Sequence, residues 1–190
     1  MPDFTHTYTA FAGTQRLASG PLSQVAVAVR HAECDTQAPP VLVFSDRTGK
    51  ALDLDTRGSD VEIADRYSPP PAAPRGRGRP RLGVVAREVT LLPRHWEWLG
   101  EQPGGASVTL RKLVDDARRA GGDTHLVKKA HEAAYTFMHV IAGNLDNFEE
   151  AARALFASDR ARFEQLVARW PHDVRVHATL LAFTYAGSGE

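Results

Sequence analysis

Thr7-Tyr8-Thr9-Ala10-Phe11-Ala12-Gly13-Thr14 is the stretch on which the fold class turns. Its first six residues have strand composition, and Gly13-Thr14 fits a hairpin turn. Arg16-Leu17-Ala18-Ser19 then reads as the returning strand, which Gly20-Pro21 breaks. Pro21 suits a helix start, because it lacks the N–H that would be unpaired there. Leu22, Val25, Ala26 and Val29 follow at helical spacing. After Pro39-Pro40 comes Val41-Leu42-Val43-Phe44, a short buried-strand pattern, and Ser45-Asp46-Arg47-Thr48-Gly49 reads as a turn. Ala51-Leu52-Asp53-Leu54-Asp55 alternates apolar and acidic, as a half-buried or edge strand does. An N-terminal ββαββ unit is therefore expected within residues 1–67, and the fold class is α+β. A further short helix fits the neighbourhood of residues 60–67.

Outward from that unit the composition changes. Residues 68–82 are nearly all Pro, Ala, Arg and Gly, so they cannot build a core and read as a flexible basic linker. Residues 83–122 read as a strand-helix-helix segment. Val84 to Leu92 is β-rich, Pro93 opens a short helix through Trp96, Trp98 and Leu99, and Gln102-Pro103-Gly104-Gly105 ends it. Ser107 is placed to cap the next helix, where Leu110, Leu113, Val114 and Ala117 share a stripe, and Gly121-Gly122 is expected to end it. Trp96 and Trp98 lie two apart, so one is expected in the core and the other exposed or at an interface. Residues 123–190 read as a helical C-terminal segment. Asp123 or Thr124 caps a helix that Gly143-Asn144 stops, and further helices follow near 147–157, after Ser158-Asp159, and from Asp173 to about Tyr185.

The 190 residues carry 23 Lys/Arg and 23 Asp/Glu, a net charge of zero. That total hides segregation: residues 1–65 hold 5 basic and 9 acidic side chains, 66–119 hold 11 and 5, and 120–190 hold 7 and 9. Positive charge in the middle of a neutral chain points to a local polyanion contact. A single cysteine, Cys34, excludes an intrachain disulfide and fits a reducing cytoplasm. No signal peptide or membrane-length apolar run is read, so no membrane partner is expected.

Catalytic and metal motifs are not evident. His131-Glu132-Ala133-Ala134-Tyr135 has tyrosine where a zinc-protease helix needs its second histidine. His131, Tyr135 and His139 share a helical face, which is more often satisfied structurally than metal-binding. Cys34 near His31 has no partner acid, Asp53, Asp55 and Asp60 do not match a calcium loop, and no phosphate-binding glycine loop follows a strand. The expectation is a non-enzymatic protein without metal or cofactor.

Pro74-Arg75-Gly76-Arg77-Gly78-Arg79-Pro80-Arg81 carries the functional signal. Its core, Gly78-Arg79-Pro80 flanked by Arg77 and Arg81, resembles an AT-hook. The minor groove is about 6 Å wide, so only a thin extended backbone enters it. Glycine supplies the thinness, proline the direction, and arginines seek the narrow, most negative A·T tracts. A solvated linker or an RNA-binding arm are the other readings of the same residues. Residues 84–120 resemble the ribbon-helix-helix family, in which strands of two chains pair into a ribbon that enters the major groove. That resemblance implies a homodimer, a strand at Arg87-Glu88-Val89-Thr90-Leu91-Leu92, Arg87 and Thr90 at the major groove, and Ser107 at phosphate. Glu88 departs from the family's groove face. Arg79 and Thr90 are eleven residues apart, up to ~36–40 Å if extended, enough to reach an adjacent groove.

Arg87 through Leu99, with Gln102-Pro103-Gly104-Gly105-Ala106-Ser107, Ala12-Gly13-Thr14 through Leu22, and Gly143-Asn144 through Ala151, is similar to an uncharacterised bacterial family, a domain of unknown function. The similarity spans nearly the whole chain. It implies a bacterial cytoplasmic protein and assigns no activity or site. The expected function is DNA binding, as a transcriptional regulator or nucleoid-associated factor, with Arg75, Arg77, Gly78, Arg79, Pro80 and Arg81 in an A·T-rich minor groove. The alternative is a protein-interaction module in which the Arg-Gly stretch is only a linker.

Overall fold

The computed structural model describes residues 7–34, 39–69 and 87–184, without the side chains of 118–123. The fold is α+β, as expected. Strands β1 (Tyr8–Ala12), β2 (Gln15–Gly20), β3 (Val41–Ser45) and β4 (Ala51–Leu52) form one antiparallel sheet in the order β2-β1-β3-β4. Helix α1 (Leu22–Glu33) lies between β2 and β3 in the chain, and α2 (Asp60–Arg66) follows the sheet. Then come α3 (Pro93–Glu101), α4 (Gly105–Ile141), α5 (Phe148–Phe156), α6 (Arg160–Leu166) and α7 (His172–Phe183).

These elements form two compact units, one of residues 1–69 with 123–190, the other of 70–122. The first owes its layers to the two-residue period of a strand. Ala10 and Val43, paired across β1 and β3, face α1 and pack with Val25 and Val29. Their neighbours Phe11 and Phe44 point the other way and join Phe137, Met138, Leu155, Phe163 and Val174 in the main core. The central strands β1 and β3 are thus covered on both faces, by α1 on one and by the C-terminal helices on the other, while β2 is largely exposed. Phe44 meets Phe137 edge-to-face at 4.9 Å between ring centroids. Gly13, at φ +60, makes the β1–β2 turn in the left-handed region that glycine favours.

Local signals explain most boundaries. Pro21 precedes α1 and accepts the first helical N–H from Val25. Ser59 caps α2 in a reciprocal box: its hydroxyl accepts from the Glu62 N–H, and the Glu62 carboxylate accepts from the Ser59 N–H at 2.7 Å. Asp159 caps α6 by accepting from the Arg162 N–H. Pro171 opens α7.

Three expected boundaries are corrected. The helix does not end at Gly121-Gly122; α4 runs through both for 37 residues. Glycine costs only about 1 kcal/mol in a helix interior, so it permits a stop without imposing one. The strand expected over 84–92 is absent from its described part: residues 87–92 have no regular structure, and only Leu91 is even half-buried. A strand is defined by a partner's hydrogen bonds, and none of the described strands pairs with it. The fourth strand stops at Leu52 instead of reaching Asp55, whose backbone N–H donates to the Tyr67 hydroxyl and not to a neighbouring strand.

Candidate functional site

Arg75, Arg77, Gly78, Arg79, Pro80 and Arg81 lie outside the described residues. Arg87 and Thr90 lie in the exposed irregular run before α3. Without a strand there, no alternation sets a groove face for Arg87, Glu88 or Thr90. Ser107 is not the cap of α4. The helix begins two residues earlier, at Gly105, and Ser107 sits in its first turn. The Arg111 guanidinium donates to the Ser107 carbonyl at 3.0 Å and to its hydroxyl at 3.1 Å. That hydroxyl is already engaged by the exposed Arg111 cation, one turn further along α4.

The second unit is basic as a whole: residues 70–122 hold ten Lys/Arg and five Asp/Glu. The first unit carries the complementary acidic excess. The second unit is also apolar on its surface. Trp96 and Trp98 are 43% and 49% exposed, so neither enters a core; Leu99 is the buried residue of α3. Leu113 and Val114, read as an inward stripe, are exposed as well.

The histidine face of α4 is divided. His131 is buried against Phe156 and Phe183, and burial lowers its pKa. His139 is exposed and stacks on Tyr135 at 5.9 Å. Among the described residues no three His, Cys, Asp or Glu side chains converge as metal ligands. Cys34 is a free exposed thiol. His31 and Arg30 both bond Asp60, which holds that carboxyl below its usual pKa, the His31 bond being the larger cause. Asp55 forms a two-pronged pair with Arg57, whose hydrogen bonds hold it far below the usual carboxylate range. These carboxylates are tied into local ion pairs and do not form a calcium loop.

The structure also assembles a polar chain with no sequence motif. Ser19 Oγ lies 3.0 Å from Thr9 Oγ1, which donates to Asp46 Oδ1 at 2.9 Å. The same oxygen lies 3.4 Å from His177 Nε2. His177 is buried between Phe11 and Phe137, and its Nε2 lacks an aligned hydrogen-bond partner. Burial lowers its pKa, against a smaller opposing pull from Asp46. Nearby, the Arg16 N–H donates to Asp173 at the start of α7 at 2.9 Å. Both contacts fasten α7 to the sheet. Thr9 and His177 are far apart in sequence and each reads alone as an ordinary polar residue, so no periodicity or spacing reveals the pair.

The fold and these sites define an α+β protein of two units, one assembled from both ends of the chain and the other basic with exposed tryptophans. The chain belongs to a family described as uncharacterised proteins conserved in bacteria, DUF2239, whose model matches residues 7–182. The expected whole-chain resemblance to a bacterial family of unknown function is thereby met. No curated protein and no solved structure matches the chain. Among the described residues no helix is long and apolar enough to cross a membrane.

Proposed function

We propose that this protein is a non-enzymatic, cytoplasmic DNA-binding protein, a transcriptional regulator or nucleoid-associated factor, that contacts DNA through residues 70–122. The observation that carries the reading is charge segregation. A chain of zero net charge places its whole basic excess in one of two compact units, and that excess includes four arginines within 75–81. Such a patch attracts phosphate by releasing condensed counterions. The AT-hook-like core Gly78-Arg79-Pro80 directs the arm to an A·T-rich minor groove. Arg87 and Thr90 lie close after it in sequence, and Arg111 takes the phosphate role expected of Ser107.

Binding of A·T-rich and G·C-rich duplexes at two salt concentrations tests this. If Arg75, Arg77, Arg79 and Arg81 each neutralise one phosphate, they contribute about −3.6 to the slope of log K against log salt. The quadruple alanine variant is expected to lose that contribution and the A·T preference. Equal binding by the parent and the quadruple variant would sink the reading.

Trp96 and Trp98 favour a second reading, a protein-interaction module in which the Arg-Gly stretch is a linker. Exposed tryptophan is a common anchor of protein interfaces. A homodimer through this surface is compatible with either reading. Under the interaction reading duplex binds no more tightly at low salt than at high, and Trp96→Ala weakens association while the arginine variant does not.

A further inference from the structure

A hollow of about 300 Å³ lies where the end of α4 turns into α5, within the first unit. Tyr135, His139 and Phe148 line it, and their three ring centroids lie 5.9 to 6.2 Å from one another. Tyr135 and Phe148 are also part of, or packed against, the main core, which fixes the trio in place. Glu149 is the one lining residue that carries a full negative charge, and no ion pair among the described residues engages it. The neighbouring Glu150 is by contrast paired with Arg153.

The backbone adds a third contribution. The hollow is bounded by Val140, Ile141 and Gly143, at the carbonyl end of a 37-residue helix. The last carbonyls of a helix lack intrahelical donors and carry the negative pole of its dipole. Gly143 lets the chain turn tightly there: a Cβ on it would meet the His139 carbonyl oxygen at 2.7 Å. Aromatic rings thus line the hollow together with a carboxylate outside the described ion pairs and the carbonyl end of a helix, the last two being negative.

We propose that this hollow binds a small organic cation, an alkylated ammonium group, with Tyr135, His139 and Phe148 against its methyl groups and Glu149 as counter-ion. A methylated ammonium spreads its charge over apolar carbon, so it gains from ring quadrupoles while losing little hydration. A bare metal ion would not suit the hollow, since rings displace the oxygen ligands a hard cation needs. An anion or a nucleic-acid phosphate would meet Glu149. The rings alone would accept a base by stacking, and the charge decides against it.

The test uses the full chain and tetramethylammonium chloride, followed by NMR shifts of the Tyr135 and His139 ring protons and by calorimetry. Sodium chloride at matched ionic strength and tert-butanol, a neutral molecule of similar shape, serve as controls. Saturable binding of tetramethylammonium over tert-butanol is expected, weakened roughly two- to fivefold by Glu149→Gln, the upper range of an exposed ion pair. Tyr135→Phe should retain binding and Tyr135→Leu should weaken it. Should Tyr135→Leu fail to fold, the Glu149→Gln and Tyr135→Phe pair still decides. No saturable shift, equal response to tert-butanol, or unchanged affinity in Glu149→Gln overturns the proposal.

Discussion

Gly49 and His177 show how single residues hold the first unit together. Gly49 lies at φ +65 in the β3–β4 turn, where a Cβ would sit 1.8 Å from the carbonyl oxygen of Ala133 in α4. Strain in the left-handed region and a clash with backbone act together, and neither can relax by a side-chain rotation. Gly49→Ala is expected to cost at least about 2 kcal/mol, read as a lowered urea midpoint. His177 titrates. Its folded pKa lies below the unfolded value of about 6.5, so the unfolded chain takes up the proton first as pH falls. Its contribution is therefore present above pH 6.5 and is lost on acidification. Stability should drop between pH 7.5 and 5.5, by up to about 1.4 kcal/mol per pH unit for one such group. His177→Gln should shrink that drop, and His131, shifted the same way by burial, should supply part of the remainder. A drop of unchanged size in His177→Gln would rule out this assignment. Residue roles of this kind are the least legible in sequence. Gly49 reads correctly as a turn residue, but the helix it must clear lies more than eighty positions away.

Elements were legible where their ends carry chemistry. Gly13-Thr14, Pro21, Pro93, Asp159 and Pro171 each mark a boundary that the structure keeps. The Ser59-Glu62 box at the start of α2 goes unread in the sequence, where only a short helix near 60–67 is expected; Ser59→Ala is expected to cost about 1 kcal/mol. Thermal melting or urea unfolding followed by circular dichroism reads that loss, and an unchanged midpoint would show that Glu62 alone suffices. Where ends lack such chemistry, reading fails in both directions. Gly121-Gly122 looks like a stop because glycine commonly follows a helix, yet the backbone of α4 stays helical through it. Val84 to Leu92 looks like a strand because its side chains favour one, yet in its described part, 87–92, propensity supplies no partner for the N–H and C=O groups. The candidate DNA arm was legible from composition and charge alone, which is also why its structural role rests on a binding measurement.

At the scale of the molecule, periodicity told which residues face inward and not what covers them. Phe11 and Phe44 read as strand residues of an N-terminal unit; that Phe137 of α4 and His177 of α7 cover them is a contact between distant parts of the chain that no local pattern encodes. Residues 1–69 expressed alone should therefore fail to fold, since one face of the sheet would put both phenylalanines in water. A dispersed amide NMR spectrum from that fragment would contradict this.

The discontinuous first unit also sets a timetable. Roughly 130 residues separate Phe44 from Val174 in the same core. At ribosomal speeds of about 5–20 residues per second, Phe44 leaves the exit tunnel roughly 6–26 s before Val174 does. During that interval Phe11 and Phe44 have no α4 or α7 to cover them. The apolar face is therefore expected to stay uncovered until residues 123–183 have emerged, and slowed translation of residues 123–170 lengthens that exposure.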